Sequence, residues 1–181
     1  TDHRMISILI PTYNNFNYLK LCVKSLVKNS SFEHEILFHI NDGSDGTLNF
    51  IRKSGYKYTY SEKNIGLCSA INTVSKLATK KYILYSHDDM YFCPEWDSAL
   101  IKEIKLHKNS EFYLSGTMIE HNSGHIVYNF GTNIEDFRES ELLSKYKNIN
   151  FYDHQGTHFA PHLISFKMWN RVGGFSEEFN P

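Results

Sequence analysis

The stretch "YILYSHDDMYFCPEW", Tyr82–Trp96, decides the reading of the fold. Its first residues are apolar or aromatic strand formers, so they read as a short buried strand. That strand runs directly into His87-Asp88-Asp89. Adjacent carboxylates repel one another, and each resists leaving water. Either a positive charge sits beside the pair or water reaches it.

Upstream of this stretch the chain alternates strands and helices. "ISILI" (Ile6–Ile10) is apolar and β-branched, and Pro11 is expected to end it. From Asn15, the positions Phe16, Leu19, Cys22/Val23 and Leu26/Val27 recur at helical spacing. "EILFHIN" (Glu35–Asn41) is a second strand, and "DGTLNFIRKSG" a helix stopped by Gly55. "YKYTY" is a shorter strand, followed by a helix with Leu67, Ile71, Val74 and Leu77/Ala78 on one face. Downstream, Pro94 opens a helix whose apolar side is Trp96, Leu100 and Ile104. This order predicts an α/β fold: a mostly parallel, Rossmann-like sheet with helices on both faces. Ligands of such sheets bind outside the carboxyl ends of the strands. Those ends read "PTYNN", "NDGSDGT", "EKNIG" and "HDDMY", all polar and turn-forming.

Beyond Trp96 the pattern is weaker. "EFYLSGTMI" and "HIVYNFG" read as strands around the turn "HNSG". "IEDFRESELLSKYKN" reads as a helix, and "THFAPHLISFKMWNRVGGF" as a strand and then a helix stopped by Gly173-Gly174. No repeat or linker divides the chain, so residues 1–181 are expected to form one domain.

Composition narrows the class of partner. Lys and Arg number 19 against 20 Asp and Glu, a net charge of −1, which gives no sign of a nucleic-acid partner. No apolar run is long enough to span a bilayer, and no signal peptide opens the sequence. Cys22, Cys68 and Cys93 are odd in number and widely spaced, which suits free thiols in a reducing compartment better than disulfides or zinc.

Each strand end has a local reading and a chemical one. Asn14 or Asn15 would cap a helix, while Tyr13 offers a ring for a base to stack on. Ser44 or Asp45 would cap the next helix, while Asp42 would accept hydrogen bonds from a nucleobase or ribose. Asn64 would bond a base edge, and Gly66 would let the backbone approach closely. Asp88 and Asp89 would form a solvated loop, or hold a hard divalent cation that also bridges phosphates. Tyr91 and Phe92 would stack on sugar rings or cover the edge of the core. Trp96 and Trp169 read as core. His154, His158 and His162 would line a polar wall of an acceptor cleft, or be ordinary surface histidines.

The segments "ISILIPTYNN", "INDGSDGT", "KNIGLCSAIN", "YILYSHDDMYFCPEW" and "FKMWNRVGGFSEEF" together resemble the inverting glycosyltransferases of family 2, which have the GT-A fold. The likeness covers about Ile6 to Phe179. It implies a donor site in which Pro11, Thr12 and Tyr13 frame the nucleobase, Asp42 contacts base or ribose, and Asn64 and Gly66 line the same pocket. Asp88 would lie near the ribose, and Asp89, the last acid of a DXD-type motif, would bind Mn²⁺ or Mg²⁺. His87 stands where many relatives have aspartate. The donor would be a nucleotide-diphosphate sugar, by default a UDP-sugar. The acceptor would be a carbohydrate or glycolipid hydroxyl, in polysaccharide or glycoconjugate synthesis. The nucleotide-binding half would be about 6–95 and the acceptor side about 96–181. A cytoplasmic location is expected, with at most peripheral membrane contact. Glu177 matches a family acid, but the family's general base is expected past Pro181. Glu178 is the alternative inside the chain. The competing reading is a nucleotide-sugar or carbohydrate binding module without full catalytic equipment. A sugar nucleotidyltransferase would need a Gly-rich basic loop that "PTYNNFNYLK" lacks.

Overall fold

The computed structural model describes residues 6–109, 111–152 and 159–180. Strand β1 (Ile6–Tyr13) is buried from end to end except at Tyr13, and its alternate residues serve two different cores. Ile6, Ile8 and Ile10 face one side, Leu9 the other. A strand buried on both faces must be apolar at nearly every position, and that explains the unbroken "ISILI" run.

The remaining elements follow in the expected order. They are α1 (Phe16–Asn29), β2 (Glu35–Asn41), α2 (Thr47–Ser54), β3 (Lys57–Ser61), α3 (Leu67–Ser75), β4 (Tyr82–Tyr85) and α4 (Trp96–Leu106). After them come β5 (Tyr113–Ser115), β6 (Ile119–Glu120), β7 (Ile126–Val127), α5 (Glu139–Lys145), β8 (His162–Ser165) and α6 (Phe166–Val172). The main sheet has the order β3-β2-β1-β4-β8-β5. The first four strands are mutually parallel, and β8 runs antiparallel to both β4 and β5. The expected α/β architecture is therefore present. Helices α1, α2 and α4 cover one face through Leu19, Ile51 and Leu100, and α3 and α6 cover the other through Ile71 and Trp169.

The topology positions the site. The chain lays β2 and then β3 on one side of β1, then returns to place β4 on the other. The carboxyl ends of β1 and β4 therefore flank the point where strand order reverses, where open α/β sheets bind ligands.

Several sequence expectations are corrected. Pro11 does not end β1, which continues to Tyr13 in register with Asn41. The reason lies in the backbone. Leu9 O accepts from Ser86 N on the β4 side, and Pro11, two residues on, faces the same way. There β4 has already left the ladder, so no bond is lost for want of an N–H. Helix α4 starts at Trp96, with Pro94 in the turn before it. Helix α5 begins only at Glu139, because Thr132–Asp136 instead folds into a loop around the Asp136 carboxylate. The "EFYLSGTMI" strand divides into β5 and β6 at Gly116, and "HIVYNFG" keeps only two strand residues. Val27 and Leu67 belong to apolar helix patterns but are exposed.

Candidate functional site

The opening carboxylates are resolved unequally. Asp88 turns inward: the Thr12 hydroxyl donates to Oδ2 at 2.8 Å, and the Asn15 amide donates to Oδ1 at 3.0 Å. Burial pushes its pKa above the usual carboxylate range, the neighbouring Asp89 adds to that, and the two hydrogen bonds only partly offset it. Asp89 turns outward, with its side chain 55% exposed and its Oδ1 3.9 Å from His87 Nδ1. Hydrogen-bond donors thus stabilise one acid and water the other. The sequence alone suggests only a cation or water, and the donors on Thr12 and Asn15 are a third solution. Asn15, expected to cap α1, spends its side chain on Asp88 instead and makes no capping bond.

The β2 end is tied to the β1 end in the same manner. Asp42 has a left-handed backbone, φ 60°. Its carboxylate accepts from Asn14 Nδ2 at 2.8 Å and from Ser44 N at 3.2 Å. These bonds, Asn14's first, hold its pKa below the usual value. The cap of α2 falls at Gly46 rather than at the expected Ser44 or Asp45, while Asp45 accepts from Thr47 N at 3.0 Å and from Phe16 N at 2.9 Å and so fastens the β1–α1 loop. Gly43 lets this turn form at φ +75°, since a Cβ there would lie 2.7 Å from Ile40 Cγ2.

Pro11 and Thr12 are buried beneath this rim, and Tyr13 stands out from it, 52% exposed. On the β3 side, Asn64 is exposed and its Oδ1 accepts from Gly66 N at 3.0 Å. Gly66 is buried at φ +81°, and a Cβ there would meet Asn180 Oδ1 at 2.7 Å. Asn180 in turn accepts from Cys68 N at 2.9 Å and Ser69 N at 3.2 Å, capping α3 from the far end of the chain. All eight expected donor-site residues thus lie at the carboxyl ends of β1–β4. Direct bonds link the β1 end to Asp42 and Asp88, whereas the loop carrying Asn64 and Gly66 is tied to β2 through Asn41, whose Oδ1 accepts from Ile65 N at 3.0 Å.

Among the described residues no three His, Cys, Asp or Glu side chains gather into a metal cage. One outward carboxylate at Asp89 suits a hard cation that keeps most of its shell from water and substrate phosphates. The expectation for the histidines changes. His162 is buried in β8 between the rings of Tyr85 and Tyr113, at 6.1 and 4.9 Å, so it lines no cleft. His154 and His158 lie outside the described residues. Phe92 is buried and its N–H donates to Ser25, while the Tyr91 hydroxyl donates to Glu139 at 2.7 Å, so this pair closes the core edge. Trp169 is core as expected, on the α3 and α6 side of the sheet, while Trp96 is only half-buried and packs against the core on the opposite, α4 side. Glu177 accepts from Asn72 at 3.0 Å, and that bond lowers its pKa.

The family model for Glycosyl transferase family 2 matches residues 7–168. The chain belongs to that family. As a family 2 member, it is 26% identical over 179 residues to a chondroitin synthase of Pasteurella multocida (strain Pm70), covering 96% of this chain and 17% of the relative. The chain thus spans under a fifth of that relative's length. It also superposes on a crystal structure of S. aureus TarS 1-349 in complex with UDP, with a TM-score of 0.70 and 19% identity, covering 97% of this chain and 51% of that one. A mannosyltransferase from Pyrobaculum calidifontis in complex with GDP-Man and Mn²⁺ superposes with a TM-score of 0.68 and 14% identity, covering 98% and 49%. These likenesses support the GT-A form of the α/β fold.

The sequence reading missed Asn14, Asn15, Asn41 and Asn180 as the residues that fasten the rim. Their one signal is a run of asparagines at turn positions, where the side chain is free to bond the backbone or a neighbouring loop.

Proposed function

We propose that this chain transfers a sugar from a nucleotide-diphosphate sugar, by default a UDP-sugar, to an acceptor hydroxyl. The observation that carries the reading is the division of labour at Asp88 and Asp89. The first is fixed inward by Thr12 and Asn15, and the second is left exposed where strand order reverses.

In this reading Pro11, Thr12 and Tyr13 frame the nucleobase, and the exposed Tyr13 ring stacks on it. Asp42, with Asn64 and Gly66, lines the base and ribose pocket, and Asp88 lies beside the ribose. Asp89 holds Mn²⁺ or Mg²⁺ together with the donor phosphates. The cation, when bound, stabilises negative charge on the departing nucleoside diphosphate. Residues 96–181 serve the acceptor side. The acceptor hydroxyl must lose its proton to a general base as its oxygen bonds the sugar carbon. Glu177 is engaged with Asn72 and does not fill that role. The acceptor is a carbohydrate or glycolipid, and the work polysaccharide or glycoconjugate synthesis, carried out in the cytoplasm. Any membrane contact is peripheral; no helix among the described residues is long and apolar enough to cross a bilayer. Relatives named for chondroitin synthesis and neighbours bound to UDP, or to GDP-Man with Mn²⁺, support the donor class and the metal.

The test is thermal unfolding with UDP and Mn²⁺. The expected outcome is a melting temperature raised by UDP with Mn²⁺ but not by Mn²⁺ alone, and no such shift in Asp89→Ala. A shift unchanged in Asp89→Ala, or none in the unmutated chain, overturns the metal-bridged donor site. Binding without transfer to any sugar acceptor favours the binding-module reading.

A further inference from the structure

We infer that His39 is a positioning residue for the donor loop: its ring nitrogen Nε2, through Ser61 and Asn41, sets where the backbone between Asn64 and Gly66 sits. The inference rests on the donor-site reading above. His39 lies in β2, is 1% exposed, and touches none of the rim acids through a hydrogen bond. Alternation along β2 puts it on the same face as Leu37, beneath α3.

Its two nitrogens hold neighbours on β3. Nδ1 is 2.7 Å from Thr59 Oγ1, and Nε2 is 3.2 Å from Ser61 Oγ. The Ser61 hydroxyl lies 2.8 Å from Asn41 Oδ1 and 2.8 Å from Lys63 O. Asn41 Oδ1 also accepts from Ile65 N at 3.0 Å. Counting protons orders this chain. Ser61 has one hydrogen, and both Asn41 Oδ1 and Lys63 O can only accept. Ser61 therefore donates outward and accepts from Nε2–H. The ring then carries its proton on Nε2, and its bare Nδ1 accepts the Thr59 hydroxyl. Burial lowers the His39 pKa, the Asn41 side chain opposing it in part, which favours the neutral ring, and the hydrogen bonds set its tautomer. The two acceptors that Ser61 can reach, Lys63 O and Asn41 Oδ1, bracket the loop on both sides of Asn64.

A buried histidine that merely satisfies its neighbours would contribute stability alone. Two conservative variants separate the cases, because an asparagine amide ends near the place of Nδ1 and a glutamine amide near the place of Nε2. His39→Gln keeps a donor for Ser61 and loses the partner of Thr59. His39→Asn does the reverse. UDP affinity in the presence of Mn²⁺, measured by calorimetry alongside the melting temperature, is the readout. The expected result is a Kd raised about tenfold in His39→Asn and about threefold or less in His39→Gln, with both melting temperatures lowered. Ser61→Ala, which cuts the relay without touching the ring, should weaken UDP binding as His39→Asn does. Equal affinities in the two histidine variants, or an unchanged affinity in Ser61→Ala, overturn the inference and leave the donor site standing. Failure of the unmutated chain to bind UDP overturns both.

Discussion

Residues 6–95 and residues 96–180 are held together by different means. In the first region four parallel strands share a continuous ladder, and residues such as Ile8, Leu9, Phe38 and Ile83 are wholly buried. Among its described residues, the second region contributes one strand to the sheet's interior, β8, and otherwise strands of two or three residues. It exposes large apolar side chains, among them Leu106, Val127, Val172 and Phe179. What fastens it is a set of side chains that bridge the two regions, reaching from either one. Asp97 accepts from Ser31 N, Phe32 N and His34, Asn72 bonds both N–H and C=O of Phe175, and Asn180 caps α3. A parallel ladder with two apolar faces stabilises itself. Short strands with one apolar face need polar anchors, and each anchor concentrates stability in a few atoms.

If that contrast is right, cutting the buried anchor at Asp97 has the largest effect. Its side chain is wholly buried against His34 at 2.9 Å. Asp97→Ala strands His34 and several backbone N–H groups, and should cost about 3–5 kcal/mol in urea unfolding. A loss under about 1 kcal/mol would break the comparison. The same carboxylate gives a pH signature. Burial works to raise its pKa, but His34 and the N–H groups of Ser31, Phe32 and Ser98 outweigh it and hold it at about 2. A depressed folded pKa contributes stability that is complete above the ordinary carboxylate value, about 3.9, and is lost as pH falls toward the folded value. The gap in stability between the unmutated chain and Asp97→Ala should therefore narrow between about pH 4 and about pH 2.

A smaller effect is expected at Asn180. Asn180→Ala frees the N–H groups of Cys68 and Ser69 at the start of α3, worth about 1 kcal/mol in the same unfolding measurement. No loss at all would mean that the first region does not need this anchor. The smallest effect belongs to the exposed apolar positions of the second region. Leu106, 70% exposed, should tolerate Leu106→Gln within about 0.5 kcal/mol. A larger loss would show that this surface is covered in solution.

The same contrast explains how far the sequence could be read. In the first region local pattern coincides with final structure, because strands buried on both faces are continuously apolar and their helices keep one stripe. The exceptions are instructive. Pro11 looks like a stop, but the β1–β4 ladder that its nitrogen faces has already ended at Leu9, so its missing N–H costs no bond. In the second region, polar anchors replace periodicity, so the expected helix from Ile134 shrinks to Glu139–Lys145 and the expected strands to fragments.

The sequence by itself determined the alternating fold, the polar rim and the presence of two adjacent acids at its centre, since each is a matter of residue type within a few positions. Only the tertiary structure decided which acid turns in. Thr12 and Asn15 lie 76 and 73 residues before Asp88, and they reach it because strand order reverses between β1 and β4. Local spacing carries no record of that encounter, as hydrogen bonds between loops depend on which strands become neighbours.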